Sequence, residues 1–152
     1  MKLGIMQPYF LPYIGYWQLL NAVDKYVIYD DVNYIKNGWI NRNRILCGNT
    51  TQWLTMKLGK ASPNKLISEI ELVNDNIYIK KVLKTIGQIY KKAPYYEETY
   101  ELLEKILLFQ EKNLVKFLEN SIKEICKYLE IKTEIIKSSS IEKDNSLKAE
   151  KK

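Results

Sequence analysis

Residues 2–31 decide the fold of this chain and read KLGIMQPYFLPYIGYWQLLNAVDKYVIYDD. An apolar strand pattern over residues 2–7 leads into a loop with two prolines, and a helical pattern follows over residues 12–22. A second strand pattern, over residues 25–30, ends in an acidic pair, Asp30 and Asp31. Two such strands joined by a helix pair in parallel through a right-handed crossover. The stretch therefore predicts an α/β fold whose ligand lies beyond the carboxyl ends of these strands.

The pattern beyond residue 31 changes from strands to helices. Further strands are predicted by the runs at 44–47, 52–58 and 67–72, with Gly48-Asn49 as a hairpin turn. Helical periodicity then predicts helices over 76–92, 95–110 and 113–129, and a last strand over 133–137. We expect a small, mostly parallel sheet covered by a helical C-terminal half. The length of 152 residues favours one domain over residues 1–140, with a β-rich ligand-binding part at 1–74 and a helical part at 75–132.

Composition excludes several classes of protein. The net charge of +6 comes without a basic cluster or reading motif, so no nucleic-acid partner is expected. The apolar runs are too short to cross a bilayer, and the start has no secretory-signal pattern, so we expect no membrane insertion. Cys47 and Cys126 lack metal or redox spacing, which favours a cytoplasmic protein with reduced thiols and no metal site. No particular cofactor is indicated.

The end of the chain favours two readings. Residues 141–152 form either a frayed lysine-rich tail or the start of a section that is cut short, and we prefer truncation. Ser146 would cap a further helix there. The preceding serines, at 138–140, fit a flexible connector better than a phosphate-binding turn.

The loop between the first strand and the first helix is the leading candidate site. Its rigid residues include Pro8 and Gly15, and a loop fixed in advance loses less entropy when a ligand binds. Aromatic side chains suit stacking on a sugar ring or a nucleobase, and the free N–H groups at a helix start suit a phosphate. Simple packing is the alternative for each tyrosine. The predicted site residues of the loop are Gln7, Pro8, Tyr9, Tyr13, Gly15 and Tyr16.

The acidic pair after the second strand is the second candidate. Adjacent side chains on an extended segment point to opposite sides, so Asp30 and Asp31 are not expected to work as one acid–base dyad. One carboxylate would cap or pair structurally. The other would bind sugar hydroxyls or act as a catalytic base.

The third candidate is the segment KNGWINRNR at residues 36–44. The chain has 24 basic residues, and its two arginines, Arg42 and Arg44, both lie here. Arginine grips phosphate or carboxylate with two parallel hydrogen bonds, which lysine does not. In an extended segment the two arginines share one face, so we favour a clamp on a pyrophosphate or carboxylate over a surface salt bridge. Further predicted binding residues of this region are Tyr34, Lys36, Asn41 and Asn43.

The run MQPYFLPYIGYWQLLNAVDKYVIYDDVNYIKNGWINRNRI at residues 6–45 resembles the WbqC-like family. The resemblance continues through Trp53-Leu54-Thr55, the segment YKKAPY at 90–95 and Ser138-Ser139, and so covers nearly the whole chain. It implies a link to the biosynthesis of surface polysaccharides, O-antigen included. Aminoacyl or acyl modification of an amino sugar is one suggested chemistry. Family members are typically longer, which agrees with the truncation reading.

A second resemblance concerns the layout of strand, loop, helix and strand. It is similar to that of nucleotidylyltransferases, which carry His-x-Gly-His at the start of the first helix. Tyr13 and Tyr16 stand at the histidine positions here and Gly15 at the glycine position. Tyrosine can donate a hydrogen bond to phosphate but carries no positive charge at neutral pH. The resemblance implies a nucleotide-binding shape, with Tyr13 and Tyr16 as candidate catalytic residues beside Asp30 and Asp31.

Two functions remain open. The first is a transferase that acts on a nucleotide-linked amino sugar with an acyl or aminoacyl donor. The second is a non-catalytic module that binds a sugar nucleotide or a carrier-bound acyl group. In both, the partner is a small molecule.

Overall fold

A computed structural model describes residues 1–143. Its helices and strands follow one another in the order β1 (Leu3–Met6), α1 (Ile14–Ala22), β2 (Lys25–Ile28), β3 (Arg42–Cys47), β4 (Thr50–Thr55), β5 (Leu58–Gly59), β6 (Glu71–Leu72), α2 (Asn76–Tyr90), α3 (Tyr96–Leu107), α4 (Leu114–Tyr128) and β7 (Glu134–Lys137). The residues from 144 onward, with the helical turn predicted at Ser146, lie outside the described part.

A parallel sheet of three strands, in the order β1–β2–β7, forms the centre of the fold. Gly4 of β1 lies beside Tyr26 of β2, which lies beside Ile135 of β7. A Cβ atom at Gly4 would lie 3.1 Å from the Tyr26 ring, so glycine lets this large side chain fit under the sheet. The predicted α/β fold with its parallel β1–α1–β2 unit is confirmed.

The strands β3 and β4 form a separate antiparallel hairpin. Gly48 occupies the first position of its two-residue loop at φ +60°, a conformation that glycine adopts without steric cost. The predicted turn at Gly48-Asn49 is therefore confirmed. The hairpin starts two residues earlier than predicted, so that Arg42 pairs with Thr55 and Arg44 with Trp53.

Two strand predictions in the middle of the chain were wrong in part. Residues 52–58 divide into β4 and β5. Met56 N–H still donates to the Asn41 carbonyl opposite it at 2.7 Å, but Leu58 and Gly59 pair with β6 instead of β3. In residues 67–72, Ile67–Glu69 is a 3-10 turn and only β6 is extended. The Glu69 carboxylate, which accepts from Leu66 N–H at 2.8 Å, supports this turn. A local side-chain acceptor thus outweighs the apolar strand pattern.

The helical half agrees with its prediction to within three residues at each end. Asp75 caps α2 by accepting from Tyr78 N–H at 2.8 Å, and Asn113 caps α4 by accepting from Lys116 N–H at 3.0 Å. One cluster of buried side chains joins residues from the sheet, such as Ile28, to residues from the helices. This shared core fixes the helical half against the sheet. Among residues 1–143, no helix is long and apolar enough to cross a membrane.

Candidate functional site

The loop between β1 and α1 is held from the helix side through its carbonyl oxygens. The Tyr16 hydroxyl donates to the Gln7 carbonyl at 3.2 Å. One residue further along α1, the Trp17 indole N–H donates to the Pro12 carbonyl at 3.1 Å. Both donors lie in the first turns of α1, so the helix fixes the two ends of the loop.

The middle of the same loop is held from β3. The Asn43 side-chain amide donates to the carbonyls of Phe10, at 3.1 Å, and Leu11, at 2.6 Å. Phe10 N–H in turn donates to the Trp39 carbonyl at 3.0 Å. These bonds hold Leu11 at φ +46°, an unusual conformation for a leucine. The predicted rigid loop is therefore built by hydrogen bonds as well as by its prolines.

A cleft of about 680 Å³ opens between this loop and the β3–β4 hairpin. Its walls combine aromatic, polar and aliphatic side chains. The residues that line it are Met6, Tyr9, Pro12, Tyr13, Trp39, Asn43, Arg44, Ile45, Leu46 and Thr51. Four of the residues predicted from sequence meet here, namely Tyr9, Tyr13, Asn43 and Arg44.

Two tryptophans and two arginines stack beside the cleft. The Trp39 and Trp53 rings lie 5.7 Å apart between centroids, and both side chains are partly exposed. Arg42 Cζ lies 4.2 Å from the Trp53 centroid, and Arg44 Cζ lies 5.4 Å from both ring centroids. At these distances the guanidinium groups are attracted to the ring faces. We call these four residues the Arg–Trp stack.

The two arginines of the stack have different surroundings. Arg42 Nε donates to the Gly38 carbonyl at 3.2 Å, and its terminal nitrogen donates to the Asn37 carbonyl. Arg44 is exposed, and within residues 1–143 its guanidinium makes no hydrogen bond or ion pair. Arg42 therefore holds the turn that carries Trp39, whereas Arg44 keeps its donors available at the cleft wall.

The acidic pair belongs to a different cluster. The Asp30 carboxylate is buried and accepts from Ser139 N–H at 2.9 Å and from the Ser139 hydroxyl at 2.7 Å, and Ser138 Oγ lies 3.0 Å from it. Asp31 accepts from Ser138 Oγ at 2.5 Å and pairs with Lys143 Nζ at 2.5 Å. We call these five residues the acid–serine cluster. It joins the end of β2 to the end of β7, and neither aspartate lines the cleft.

Two expectations about this region were wrong. The side chains of Asp30 and Asp31 do not point apart, because both meet the Ser138 hydroxyl. The reason is that β2 ends at Ile28, so strand alternation does not extend to the pair. The serines form a 3-10 turn with Ser138 buried in place of a flexible connector.

The other predicted residues lie around the cleft without lining it. Tyr34 is buried and donates to Asn41 at 2.9 Å, and Asn41 donates to the Met56 carbonyl at 2.9 Å. Burial raises the pKa of the Tyr34 phenol. Lys36 is exposed and Pro8 is buried, and neither reaches the cleft wall.

The two candidate catalytic tyrosines also differ. Tyr13 is 63% exposed and lines the cleft, and its ring covers Gly15 so closely that a Cβ there would lie 2.4 Å away. Tyr16 is fully buried, and burial strongly raises the pKa of its phenol. It therefore stays protonated and supports the loop through Gln7.

Sequence reasoning did not single out Trp53 as a site residue. The alternation of side chains along a strand could have indicated its position, because neighbours such as Trp53 and Leu54 face opposite sides. In the structure Leu54 is 2% exposed and Trp53 is 44% exposed. Trp53 gains interest from its neighbour Trp39, because the two partly exposed rings lie 5.7 Å apart and such faces can stack on a planar ligand.

Comparison with known proteins places the chain among its relatives. The sequence profile of the WbqC-like protein family matches residues 7–151. The chain is 32% identical over 139 residues to a protein of Mycobacterium tuberculosis named "Uncharacterized protein Rv1507c", and the match covers 90% of this chain and 60% of that protein. The chain therefore spans less than two thirds of this relative. No solved structure matches the chain. On the family match and this identity, the chain belongs to the WbqC-like protein family.

Proposed function

We propose that the cleft binds a nucleotide-linked amino sugar and that the chain serves as a transferase in the biosynthesis of a surface polysaccharide such as O-antigen. The transferred group would be an acyl or aminoacyl group. One observation carries the proposal: Arg44 presents a guanidinium without a hydrogen-bond acceptor in residues 1–143, at the wall of a cleft and beside two tryptophan rings.

The chemistry of the cleft suits the parts of such a ligand. A guanidinium binds a pyrophosphate through two parallel hydrogen bonds. Trp39 offers a partly exposed face on which a base or a sugar ring can stack, and Tyr9 and Tyr13 offer hydroxyl groups beside it. The loop is held in place before the ligand arrives, which reduces the ordering cost of binding.

Family membership also supports a role in polysaccharide biosynthesis. The WbqC-like family is linked to surface-polysaccharide biosynthesis, and the residues of this chain that carry the resemblance include the loop and the arginine segment. Because the chain spans 60% of its relative from Mycobacterium tuberculosis, the activity of a whole family member is part of the proposal.

Catalysis in this proposal rests on position and charge more than on a strong base. Arg44 would neutralise the phosphates, and Tyr13 would donate to an oxygen of the substrate. Asp30 and Asp31 stay predicted catalytic residues, but their hydrogen bonds to Ser138 and Ser139 already give them a structural task.

The test is a change at Arg44. Arg44→Gln should weaken binding of a uridine-diphosphate amino sugar roughly ten- to a hundredfold, because charged hydrogen bonds to phosphate are lost. Thermal stability should change little, since the side chain is exposed. Titration calorimetry and a melting curve measure the two effects. Lys80→Gln on α2 removes an equal charge from an exposed site outside the cleft and should leave binding unchanged.

The non-catalytic module is the second candidate, and one observation favours it. Among the described residues that line the cleft, none is acidic, and the whole chain has no histidine. A ligand that raises the melting temperature but yields no product by mass spectrometry with acyl and aminoacyl donors would select the module over the transferase. Equal affinity of wild type and Arg44→Gln would contradict both.

A further inference from the structure

A second cavity lies where the β3–β4 hairpin meets the helices α2 and α3. It encloses about 330 Å³ between β3, α2 and α3, and we call it the α2–α3 groove. Its floor comes from Ile45 and Leu54 of the hairpin and its walls from Ile86 and Leu103 of the helices. No charged side chain of the described residues lines it. An occupant would therefore meet hydrocarbon on most sides.

The groove and the cleft are neighbours. Ile45 lines both cavities, and Leu11 in the groove belongs to the same rigid loop that places Tyr9 and Pro12 in the cleft. The groove thus borders the cleft, and a ligand that engaged both would need a polar head joined to an apolar part.

The polar groups of the groove are the hydroxyls of Tyr90, Tyr96, Thr99 and Tyr100, and the other seven lining residues are aliphatic. The Tyr90 hydroxyl already accepts from Leu46 N–H at 3.1 Å. A charged or amide-rich group would lose its water in the groove without gaining enough new hydrogen bonds, which is unfavourable. An alkyl chain loses no hydrogen bonds there and removes apolar surface from water. At the packing density of proteins and about 30 Å³ for each group the size of a water molecule, the volume holds roughly eight methylene groups.

The groove also explains the segment YKKAPY at residues 90–95. Tyr90 ends α2, and Ala93 and Pro94 form the turn that closes one end of the groove. Tyr95 stands at φ +58° and reverses the chain into α3. The segment therefore builds a wall of the cavity, in addition to joining the two helices.

We propose that the α2–α3 groove binds the alkyl chain of a medium-length acyl group whose head lies in the cleft. The proposal rests on the proposed function and deepens it, because it selects an acyl group over a polar aminoacyl group. The chain could arrive on the donor as a thioester or already attached to the amino sugar, and the chemistry that the groove recognises is the same.

The experiment is a chain-length series on the full chain. One arm uses acyl-coenzyme A thioesters and the other N-acyl glucosamines, each with two to twelve acyl carbons, measured by titration calorimetry. In the series whose head group resembles the natural carrier of the acyl chain, each added methylene should tighten binding by about fourfold until the groove is full. A rise in one arm alone identifies the source of the chain. A flat series in both arms overturns the proposal.

Variants make the result specific to the groove. Ala93→Phe fills the closed end and should flatten the series, whereas Ala61→Phe makes the same change at an exposed position that lines neither cavity and should keep the wild-type slope. A wild-type slope in Ala93→Phe overturns the proposal, provided that its circular dichroism matches that of the wild type. Arg44→Gln should weaken nucleotide-sugar binding and keep the slope. An unchanged nucleotide-sugar affinity in Arg44→Gln, with an intact slope, refutes the proposed function and leaves the groove standing.

Discussion

At the scale of single residues, Asp30 has the most complete set of contacts. Its carboxylate is 1% exposed and accepts hydrogen bonds from the N–H and the hydroxyl of Ser139, more than a hundred residues away, with the Ser138 hydroxyl beside it. A buried carboxylate that lost these donors would cost far more than an exposed one. The residue therefore ties β2 to the turn after β7, and that tie holds the last strand in the sheet.

The substitution Asp30→Asn measures this tie. Asparagine keeps the shape but replaces one acceptor oxygen with a donor, so the free energy of unfolding should fall by about 2 kcal/mol. Urea denaturation measures the loss. Combined with Ser139→Ala, the double variant should lose less than the sum of the single variants, by about 1 kcal/mol. Glu101→Gln, at an exposed carboxylate of α3, should cost less than about 0.5 kcal/mol, and a similar cost at Asp30 would contradict the structural role.

Single residues also set the limit of what the sequence could predict about the site. The bias toward lysine drew attention to both arginines, and both do lie against Trp53. Only the structure shows that they have different roles, because the Arg42 guanidinium already donates to two carbonyls of the preceding turn. Contacts of this kind depend on how the turn folds back, which a pattern of residue types does not encode.

At the scale of elements, the start of α1 is where stability and binding can be separated. Gly15 lies in the first turn, beneath the exposed ring of Tyr13. In Gly15→Ala the new methyl group displaces that ring, while the helix gains up to about 1 kcal/mol from the better helix former. We expect an unchanged or higher melting temperature and a nucleotide-sugar affinity that falls roughly three- to tenfold.

The same substitution in a Tyr13→Ala protein tests whether the displaced ring causes the loss of affinity. In Tyr13→Ala the ring is gone, so adding Gly15→Ala should raise the melting temperature as before and leave the affinity where Tyr13→Ala set it. Melting curves and calorimetry on the four proteins complete the comparison. A further loss of affinity in the double variant would mean that Gly15 itself approaches the ligand.

Elements were predictable where their periodicity was long or their turn chemistry specific. The amphipathic helix α4 and the Gly48 hairpin belong to this class. Short apolar runs were not, as the 3-10 turn at Ile67–Glu69 shows. There, the Glu69 side chain accepts a hydrogen bond from the backbone N–H three residues earlier, which favours the turn. An apolar run of six residues is too short for its periodicity to distinguish a strand from such a turn.

At the scale of the whole molecule, buried ionisable groups predict how stability depends on pH. Burial raises the pKa of the Cys126 thiol to about 11 from an ordinary value of 9.0. Between these values the unfolded chain releases a proton that the folded chain keeps, so the free energy of unfolding falls as pH rises. The buried phenols of Tyr16 and Tyr26, whose pKa values burial also raises, extend the fall above pH 10.

Urea midpoints at pH 8, 9, 10 and 11 check this expectation. The midpoint should decline across the series, and Cys126→Ala should flatten the part between pH 9 and 11 even though the smaller side chain lowers the midpoint at every pH. Cys47→Ala removes the other thiol, at the end of β3, and should keep the wild-type dependence. An identical decline in both variants would assign the effect to other groups.

The parallel β1–α1–β2 unit followed from residues 2–31 because a strand–helix–strand unit of this kind has one handedness and one edge for ligands. The residues that follow β1 and β2 at that edge, however, belong to two different regions. Met6 at the end of β1 lines the cleft, whereas the residues after β2 turn to β7 and the serines. The partner strand of β2 lies over a hundred residues away in sequence, and its position decided where the aspartates go.

The framework of the loop has a consequence for how a ligand preference can change. Tyr16, Trp17 and Asn43 all hold main-chain carbonyls, which every amino acid carries. Replacing Tyr9 or Tyr13 therefore alters what the cleft presents without removing any of these bonds. Of the two, Tyr13 is the position where the proposed ligand preference can change at the lower cost to the fold, because Tyr13 is 63% exposed whereas Tyr9 packs against the core and the Tyr16 ring.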